Sequence, residues 1–445
     1  MPNKILIVGG VGGGATVAAQ IRRSDRDATI IIFDKGEHIA FSNCGMPYYI
    51  GDVVNERDDL LRDSDDFADK YNVQLNLHSE VVEIDRTGKK ITYINNHQEF
   101  QETYDTLILA PGAHAIVPDL KGLRNEITFS LHTIPDMDAI HRFIKDSKPN
   151  HCAIIGAGFV GLEMVENLYR LGIDCTLIDR SKQVMKLVDP DMAVMIEDHV
   201  KAKGVHLILN DGIDSFTNEG KTLHLDSGKV VQADMTILAV GIAPNTKLAT
   251  DAGLDVGNDT GAITVNEFMQ TNDPHIFALG DVVETKDFLT QTPRHVALAW
   301  PAHRQAFIIA SYLQKDKVPY KGTLGSAILK VFDLTVATTG HNAASLNQLG
   351  IVYQEITHEA LTHAGYYPGV DKIRIKVLSR KTNGQLLGAQ VIGEGGVDKR
   401  LAVLATAIRS GLSVTELAEL ELAYSPPYSS PKDPINVIGY KAMEK

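Results

Sequence analysis

The sequence is poor in cysteine and tryptophan, and it lacks long apolar runs. Cysteine stands only at positions 44, 152 and 175, and the 445 residues include one tryptophan. Three cysteines cannot build a secreted disulfide framework, so a conspicuous thiol in this chain is more typical of a catalytic or an inert group. No apolar stretch approaches the roughly 18 residues that a membrane-spanning helix needs, which argues against an integral membrane protein.

Positive charge is also in short supply. Lysine and arginine total 43 against 56 acidic residues, so the net charge is −13. Such a field repels nucleic acid and acidic membranes, and neither is expected as a partner. Residues 1–10 resemble a buried strand rather than a secretory signal, which favours a cytoplasmic location. No metal site is predicted.

Two segments repeat one pattern of strand, glycine turn, helix and strand. The first segment begins with the apolar run and glycine turn of residues 4–14, and the second begins with the apolar run and glycine turn of residues 151–161. In each, an apolar run enters the glycine turn, helical spacing follows, and a second apolar strand closes the unit. This order is the signature of a dinucleotide-binding Rossmann unit.

The second glycine turn is complete. Gly156, Gly158 and Gly161 fill the three positions that provide the tight turn, the close approach of the pyrophosphate and the helix packing. Asp179 closes the next strand at the distance expected for an acid that binds an adenosine ribose. Its neighbours Arg180 and Lys182 are placed to meet a 2′-phosphate instead, so the sequence leaves NADH and NADPH both open.

The first glycine turn departs from the pattern. Gly9 and Gly14 fill the outer positions and Gly12 adjoins the middle one, which is Val11. An imperfect glycine turn is often only a turn. Asp34, however, closes the second strand where a ribose-binding acid belongs, and the pairing with a complete second unit favours a nucleotide site here too.

Gly280 and Asp281 end a third apolar strand, which we interpret as the chain returning to complete the first unit. A flavin ribityl chain and phosphate need an acid and a backbone turn opposite the first helix. The alternative is that Asp281 is an ordinary helix N-cap. We therefore predict FAD in the first unit and NAD(P)H in the second.

Cys44 differs from the other two cysteines in its surroundings. Asn43, Gly45 and Pro47 indicate a loop before a helix start, where the helix dipole is expected to lower the pKa of the thiol. Cys152 and Cys175 lie in apolar strands and are interpreted as buried hydrophobic residues. Dithiol flavoenzymes carry a second cysteine five residues further on, where this chain has Tyr49. Oxidised Cys44 is therefore expected as a sulfenic acid or a mixed disulfide with a small thiol.

Together these motifs resemble those of the coenzyme A disulfide reductases, in the single-cysteine branch of the pyridine nucleotide-disulfide oxidoreductases. The resemblance extends from about residue 3 to the C-terminus. Its motifs are the glycine turn of residues 9–14, Ser-Asn-Cys-Gly-Met-Pro at 42–47, Ala-Pro-Gly at 110–112, the glycine turn of residues 156–161, Gly-Asp at 280–281 and Pro-Pro-Tyr-Ser-Ser-Pro-Lys-Asp at 426–433.

The resemblance implies an α/β fold with two Rossmann-like nucleotide-binding domains and a C-terminal α+β dimerisation domain. The expected domains are FAD-binding, 1–114 and 250–320; NAD(P)H-binding, 115–249; and dimerisation, 321–445. It also implies a homodimer that contains FAD, acts on coenzyme A disulfide and forms a mixed disulfide with coenzyme A. The dimerisation domain is expected to complete the partner's active site.

Matching residue by residue assigns catalytic roles to Cys44, Tyr366 and Tyr424. The cofactor-binding residues implied are Gly9, Gly12, Gly14, Asp34, Lys35, Ala110, Gly112, Gly280, Asp281 and Ala299 for FAD, and Gly156, Gly158, Gly161, Glu163, Asp179 and Arg180 for NAD(P)H. The coenzyme A contacts implied are Thr16, Gln20, Arg23, Ser42, Asn43, His303 and Lys432. One position departs from the family, since Ala40 stands where a substrate-contacting serine is usual.

Three alternatives remain. NADH oxidases and peroxidases share the fold but usually carry a histidine in the first glycine turn, where this chain has Val11. Persulfide reductases usually carry an appended rhodanese-like domain, which is not expected in these 445 residues. A nucleotide-binding redox sensor belongs to a different class, and the intact second glycine turn argues against it.

Overall fold

The apolar runs of the sequence form strands, and both glycine turns lead into helices. The computed structural model describes residues 3–444. The helices are α1 Gly12–Ser24, α2 Met46–Ile50, α3 Ser64–Tyr71, α4 Ile134–Ser147, α5 Phe159–Arg170, α6 Pro190–Ala202, α7 Lys247–Asp251, α8 Ala299–Leu313, α9 Ala343–Gln348, α10 Val397–Ser410 and α11 Pro434–Met443. Short 3-10 turns are Asn43–Gly45, Arg57–Leu60, Asn218–Gly220, Gly280–Val282 and Thr415–Glu419.

The strands fall into three larger sheets and several small ones. They are β1 Lys4–Val8, β2 Thr29–Phe33, β3 Gln74–Asn76, β4 Ser79–Asp85, β5 Lys90–Asn95, β6 Gln98–Thr103, β7 Thr106–Leu109, β8 Ala113–Ala115, β9 Thr128–Ser130, β10 His151–Ile155, β11 Asp174–Asp179, β12 His206–Leu209, β13 Ile213–Thr217, β14 Thr222–Leu225, β15 Val230–Gln232, β16 Met235–Leu238, β17 Ile242–Pro244, β18 Ile263–Thr264, β19 Ile276–Ala278, β20 Val283–Lys286, β21 Pro293–His295, β22 Ala327–Val331, β23 Leu334–Gly340, β24 Tyr353–Leu361, β25 Lys372–Arg380 and β26 Leu386–Gly393.

The first large sheet is parallel and has the order β19-β7-β1-β2-β3. Strand β19 comes from far along the chain and pairs with β7, where Ile276 faces Leu107 and Phe277 faces Ile108. The central strands are buried on both faces, by α1 and α8 on one side and largely by the antiparallel strands β4 and β5 on the other, which explains their continuous apolar runs. This pairing brings the turn after β19 next to the glycine turn after β1.

The second large sheet repeats this plan. Its order is β12-β11-β10-β16-β9, and β10 lies between β11 and β16 just as β1 lies between β2 and β7. Cys152 and Cys175 face each other in the β10–β11 register and are buried. The prediction that both are buried strand residues is therefore confirmed. Each parallel sheet is accompanied by a three-stranded antiparallel sheet, β4-β5-β6 and β13-β14-β15.

The C-terminal region builds an antiparallel sheet with the order β22-β23-β26-β25-β24. Apolar residues of its strands pack against α10 and α11. Helix α10 follows the last strand of this sheet after a short turn. The α+β character of this region follows, because every strand pair of its sheet is antiparallel.

Buried ion pairs fasten the C-terminal sheet to the second parallel unit. Lys376 of β25 is almost fully buried and lies 3.0 Å from Asp189 and 2.8 Å from Asp191 at the start of α6. On α5, buried Glu166 accepts hydrogen bonds from the Lys330 ammonium at 2.7 Å and from the Phe332 amide at 2.9 Å. Buried charges are tolerated only when paired in this way, so these contacts fix the orientation of α5.

Candidate active site

The two glycine turns have equivalent backbone geometry. Gly9 and Gly156 both have positive φ, +96° and +106°, and a Cβ built there would lie 2.1 Å from the Ala110 oxygen and 2.2 Å from the Ala239 oxygen. Only glycine fits such close approaches. Val11 and Gly158 precede helices α1 and α5 with similar φ values, −87° and −89°. Both φ values are negative, so neither position requires the left-handed backbone that favours glycine.

The acids at the ends of β2 and β11 also match. Asp34 accepts hydrogen bonds from the Gly10 and Gly36 amides, each at 2.7 Å. Asp179 accepts from the Ala157 and Ser181 amides, again at 2.7 Å. A carboxylate has about four lone-pair positions, so each acid retains acceptors for a ribose hydroxyl.

Both turns therefore fit a dinucleotide. A Cβ built on Gly158 would meet no atom within 4 Å, which leaves room for a pyrophosphate at the start of α5. Lys35 and Arg180, beside the two acids, are exposed and free to approach an adenosine moiety. Asp179 and Arg180 lie side by side, so the geometry is compatible with either nicotinamide nucleotide.

The turn after β19 approaches the N-terminus of α1. The Gly280 amide donates to the side-chain oxygen of buried Gln305 on α8 at 2.8 Å, and Gly280 has a φ of +82°. Burial raises the pKa of Asp281, opposed by the nearby His295 and His132. Ala299 begins α8, while Ala110 and Gly112 flank the turn after β7. The residues predicted for FAD thus converge from three chain segments on the same edge of the first sheet.

Cys44 lies in the 3-10 turn that precedes the five-residue helix α2, and it is exposed. The expected lowering of its pKa is wrong. Partial burial raises the pKa of the Cys44 thiol, and the negative charges of Glu163 and Asp281 raise it further. A helix of five residues provides little dipole, so the two carboxylates outweigh it. Cys44 therefore lies where the two Rossmann units meet.

Glu163 on α5 is predicted from the sequence only as a cofactor-binding residue. Burial raises its pKa to about 7, assisted by the charge of Glu166 and opposed by a hydrogen bond with Tyr48. Burial and Glu163 raise the pKa of Tyr48 to about 12, so this phenol remains protonated and acts as the donor. Sequence reasoning missed Tyr48, although its position four residues after Cys44 placed it near the thiol.

Three of the seven residues predicted to contact coenzyme A lie on one face of α1. Thr16, Gln20 and Arg23 have the spacing of a helix face, and the Thr16 hydroxyl lies 2.9 Å from Nδ1 of His303 on α8. Ser42 and Asn43 immediately precede Cys44, and the Asn43 side-chain amide donates to the His132 carbonyl at 3.4 Å.

Lys432 comes from a different part of the chain. It lies in the C-terminal tail, with its ammonium 5.3 Å from the centre of the Tyr440 ring. Ala40 has a φ of +50°, a backbone conformation that is unusual for alanine.

Tyr366 and Tyr424 come together in the C-terminal domain. They lie on two separate loops, and their hydroxyl oxygens are 3.4 Å apart. Their exposed fractions are 77% and 43%. The hydrogen bond with Tyr366 raises the pKa of Tyr424. The pair thus presents two proton donors on an open surface.

Comparison with known proteins places this site in a family. The family model described as pyridine nucleotide-disulphide oxidoreductase matches residues 3–306, and the dimerisation domain of the same family matches residues 326–433. The chain belongs to the pyridine nucleotide-disulphide oxidoreductase family. The predicted resemblance is confirmed, as is the fold class of two Rossmann-like domains and an α+β dimerisation domain.

Relatives of this oxidoreductase include several coenzyme A disulfide reductases. The Staphylococcus aureus (strain JH9) enzyme is 41% identical over 99% of both chains. The crystal structure of reduced Bacillus anthracis CoADR-RHD has a TM-score of 0.98 at 46% identity, covering 100% of this chain and 80% of that one. An NAD-dependent persulfide reductase from A. fulgidus has a TM-score of 0.96 at 34% identity, covering 99% of this chain and 83% of that one.

Family membership implies FAD and NAD(P)H as the cofactors of this flavoprotein. In residues 3–444 no helix is both long and apolar enough to cross a membrane. The roles of individual site residues and the boundaries of the three domains stay predictions.

Proposed function

We propose that this chain is an NAD(P)H-dependent coenzyme A disulfide reductase that acts through Cys44. The observation that carries the proposal is the isolation of this thiol. Cys44 is exposed, while Cys152 and Cys175 are buried on strands of the second sheet, with pKa values that burial raises. Oxidised Cys44 therefore has no internal partner and pairs with a small external thiol. Coenzyme A is that thiol by analogy with the staphylococcal relatives.

The cofactors fit residues that converge on Cys44. The Gly9 turn, Asp34 and Asp281 would hold FAD, and the Gly156 turn with Asp179 would hold NAD(P)H. FAD supplies the transfer of two electrons from the nicotinamide to a disulfide. The chain's own residues bind both nucleotides, hold the thiol near the charges of Glu163 and Asp281, and provide the protons.

Cys44 performs the thiol exchange with the substrate. Its thiolate attacks one sulfur of coenzyme A disulfide; a Cys44–coenzyme A disulfide bond forms and the substrate's S–S bond breaks. The released thiolate takes a proton from the phenol of Tyr366 or Tyr424, and the phenolate regains a proton from solvent. A phenol is a suitable general acid for a departing thiolate. Two electrons and one further proton then reduce the mixed disulfide and return Cys44 to the thiolate.

Thr16, Gln20 and Arg23 would position the substrate along α1. Arg23 is exposed at the last turn of the helix and offers a planar, permanently charged group for phosphate. Such local charge is needed because the chain as a whole is acidic. Lys432 would add a second positive charge from the C-terminal tail.

The enzyme is proposed to act as a homodimer in the cytoplasm. The family dimerisation domain at residues 326–433 supports self-association. We infer that each subunit contributes Tyr366, Tyr424 and Lys432 to the active site of its partner, because the two phenols lie on an open surface of this domain. A reducing compartment suits an exposed thiol that must remain free between turnovers.

The test is anaerobic turnover of wild-type and Cys44→Ser holoenzyme. We expect NADH or NADPH to reduce the flavin in both proteins, and disulfide turnover to fall by at least about a thousandfold in the serine variant because a hydroxyl cannot form the mixed disulfide. Cys175→Ala is the matched control and should turn over normally. Substrates to compare are coenzyme A disulfide, glutathione disulfide, hydrogen peroxide and a coenzyme A persulfide.

Normal disulfide turnover by Cys44→Ser would refute the mechanism. Faster turnover of peroxide than of coenzyme A disulfide would identify an oxidase or peroxidase instead, and a preference for the persulfide would identify a persulfide reductase. Absence of NAD(P)H consumption with every oxidant would favour a redox sensor.

A further inference from the structure

Arg400 is one of the most deeply buried side chains of the C-terminal domain. It projects from α10 and is only 1% exposed, although it carries a permanent charge. Its guanidinium donates to both carboxylate oxygens of Asp433, at 3.2 Å from Nε and 3.0 Å from Nη2. Asp433 is also buried, and it additionally accepts a hydrogen bond from the Ser429 hydroxyl at 2.7 Å. The bidentate pair fixes the direction of the Arg400 side chain.

The same guanidinium reaches two loops that are far apart in sequence. Nη2 donates to the carbonyl oxygen of Thr362 at 3.1 Å and lies 3.5 Å from the hydroxyl of Ser429. Thr362 begins the loop between β24 and β25, which carries Tyr366 four residues later. Ser429 lies in the loop before α11, five residues after Tyr424. Arg400 thus holds the base of both tyrosine-bearing loops.

The loops make few other contacts with each other. One backbone hydrogen bond, from the Ala364 amide to the Pro426 carbonyl, joins them at 3.2 Å. The contact between the two hydroxyls, at 3.4 Å, is the outermost connection. Because Tyr366 and Tyr424 are exposed on the single subunit, packing within that subunit does not hold their rings in place. Their relative position therefore depends on the anchoring of the loops below them.

Stability does not by itself explain a buried arginine at this place. A buried ion pair offers little net stability over apolar residues of similar volume, because both charges lose their hydration. A guanidinium that bonds two loops at once does provide a defined geometry, which a proton-donating pair requires. Asp433 remains ionised here, since the Ile435 amide, Arg400 and Ser429 together lower its pKa despite burial.

We propose that Arg400 is a positioning residue that sets the geometry of the Tyr366–Tyr424 pair by joining the loops that carry them. The inference rests on the proposed function, in which this pair protonates the leaving thiol. The proposal also gives a role to buried Asp433 of the C-terminal motif, because the catalytic scheme assigns no role to that residue. Arg400 itself contacts neither substrate nor cofactor.

The test is a mutant cycle with the holoenzyme. Arg400→Lys retains the charge but cannot bond Asp433 and both loops together, so we expect kcat with coenzyme A disulfide to fall about tenfold while the rate of flavin reduction by NAD(P)H is unchanged. In the Tyr366→Phe/Tyr424→Phe background the same replacement should change the residual turnover less than about twofold. An equal loss in both backgrounds, or no loss in either, would overturn the proposal.

Hydrogen exchange provides a readout that does not depend on substrate. In Arg400→Lys, amides of residues 362–371 and 423–433 should exchange faster, whereas those of the adjoining β25 and β26 should not. Lys376→Arg replaces another buried cation of the same domain that touches neither loop, and it should leave loop exchange and turnover unchanged. If Arg400→Lys does not fold, Ser429→Ala should give the same pattern with a smaller loss of turnover.

Failure of the proposed function and failure of the proposed role of Arg400 give different results. A wild-type enzyme that does not turn over coenzyme A disulfide contradicts the proposed function, and the exchange measurement still decides whether Arg400 orders the loops. Unchanged exchange in both loops, with normal substrate turnover by wild type, contradicts only the role of Arg400.

Discussion

Replacing Gly158 by alanine tests the assignment of the second glycine turn most directly. Gly158 has a φ of −89°, which alanine adopts without strain, and a Cβ built there meets no protein atom within 4 Å. The variant should therefore fold normally, with a gain in stability of at most about 1 kcal/mol from the stiffer unfolded chain.

The cost appears only when nucleotide binds. The added methyl group occupies the space in which a pyrophosphate approaches the backbone at the start of α5. Forcing one extra carbon into a close contact costs about 1–3 kcal/mol. At about 1.4 kcal/mol for each factor of ten, the dissociation constant for NAD(P)H should rise about 5- to 150-fold.

The assay is anaerobic stopped-flow reduction of the bound flavin at increasing concentrations of NADH and NADPH. The half-saturating concentration should rise, while the flavin content and the melting temperature stay at wild-type values. Val11→Ala, at the equivalent position of the first unit, is the matched control and should not change NAD(P)H affinity. Unchanged NAD(P)H affinity in Gly158→Ala would refute the pyrophosphate assignment. Loss of flavin from this variant would show that the second unit binds FAD and the first binds NAD(P)H.

Two further predictions concern charge. The raised pKa of Glu163 means that its protonated form contributes stability that is fully present below pH 4.5 and is lost as the pH rises through about 7. Glu163→Gln should therefore gain thermal stability relative to wild type between pH 5 and 8, by at most about 3 kcal/mol. A stability difference between the two proteins that does not vary with pH would contradict this. Asp179→Ala removes the negative charge beside Arg180 and should raise kcat/KM for NADPH relative to kcat/KM for NADH, as measured by steady-state kinetics with both nucleotides. An unchanged ratio of the two values would show that these residues do not contact the ribose.

Local sequence determined the features that depend on a few neighbouring residues. Positive φ at Gly9 and Gly156 permits only glycine, so both turns are visible in the sequence. The apolar runs around Cys152 and Cys175 predict strands buried on both faces. The motifs between residues 9 and 433 are specific enough, taken together, to predict the family from the amino-acid sequence alone.

Tertiary structure decided the features that depend on distant partners. The sequence places Cys44 before a helix and so predicts a lowered pKa, but Glu163 from the second unit and Asp281 from the returning chain raise it. The partnership of Tyr48 with Glu163 joins α2 to a helix more than a hundred residues away. Spacing along the chain carries no signal for such a contact.

For the tyrosine pair, too, sequence and tertiary structure determine different features. Its members are identified separately by their motifs, in segments 58 residues apart. Only the fold shows that their hydroxyls meet and that buried Arg400 joins the two loops. Sequence determines which backbone conformations and buried strands are possible because those are local properties of residues. The charge environment and the geometry of the site arise when separate elements pack together, and only the tertiary structure decides them.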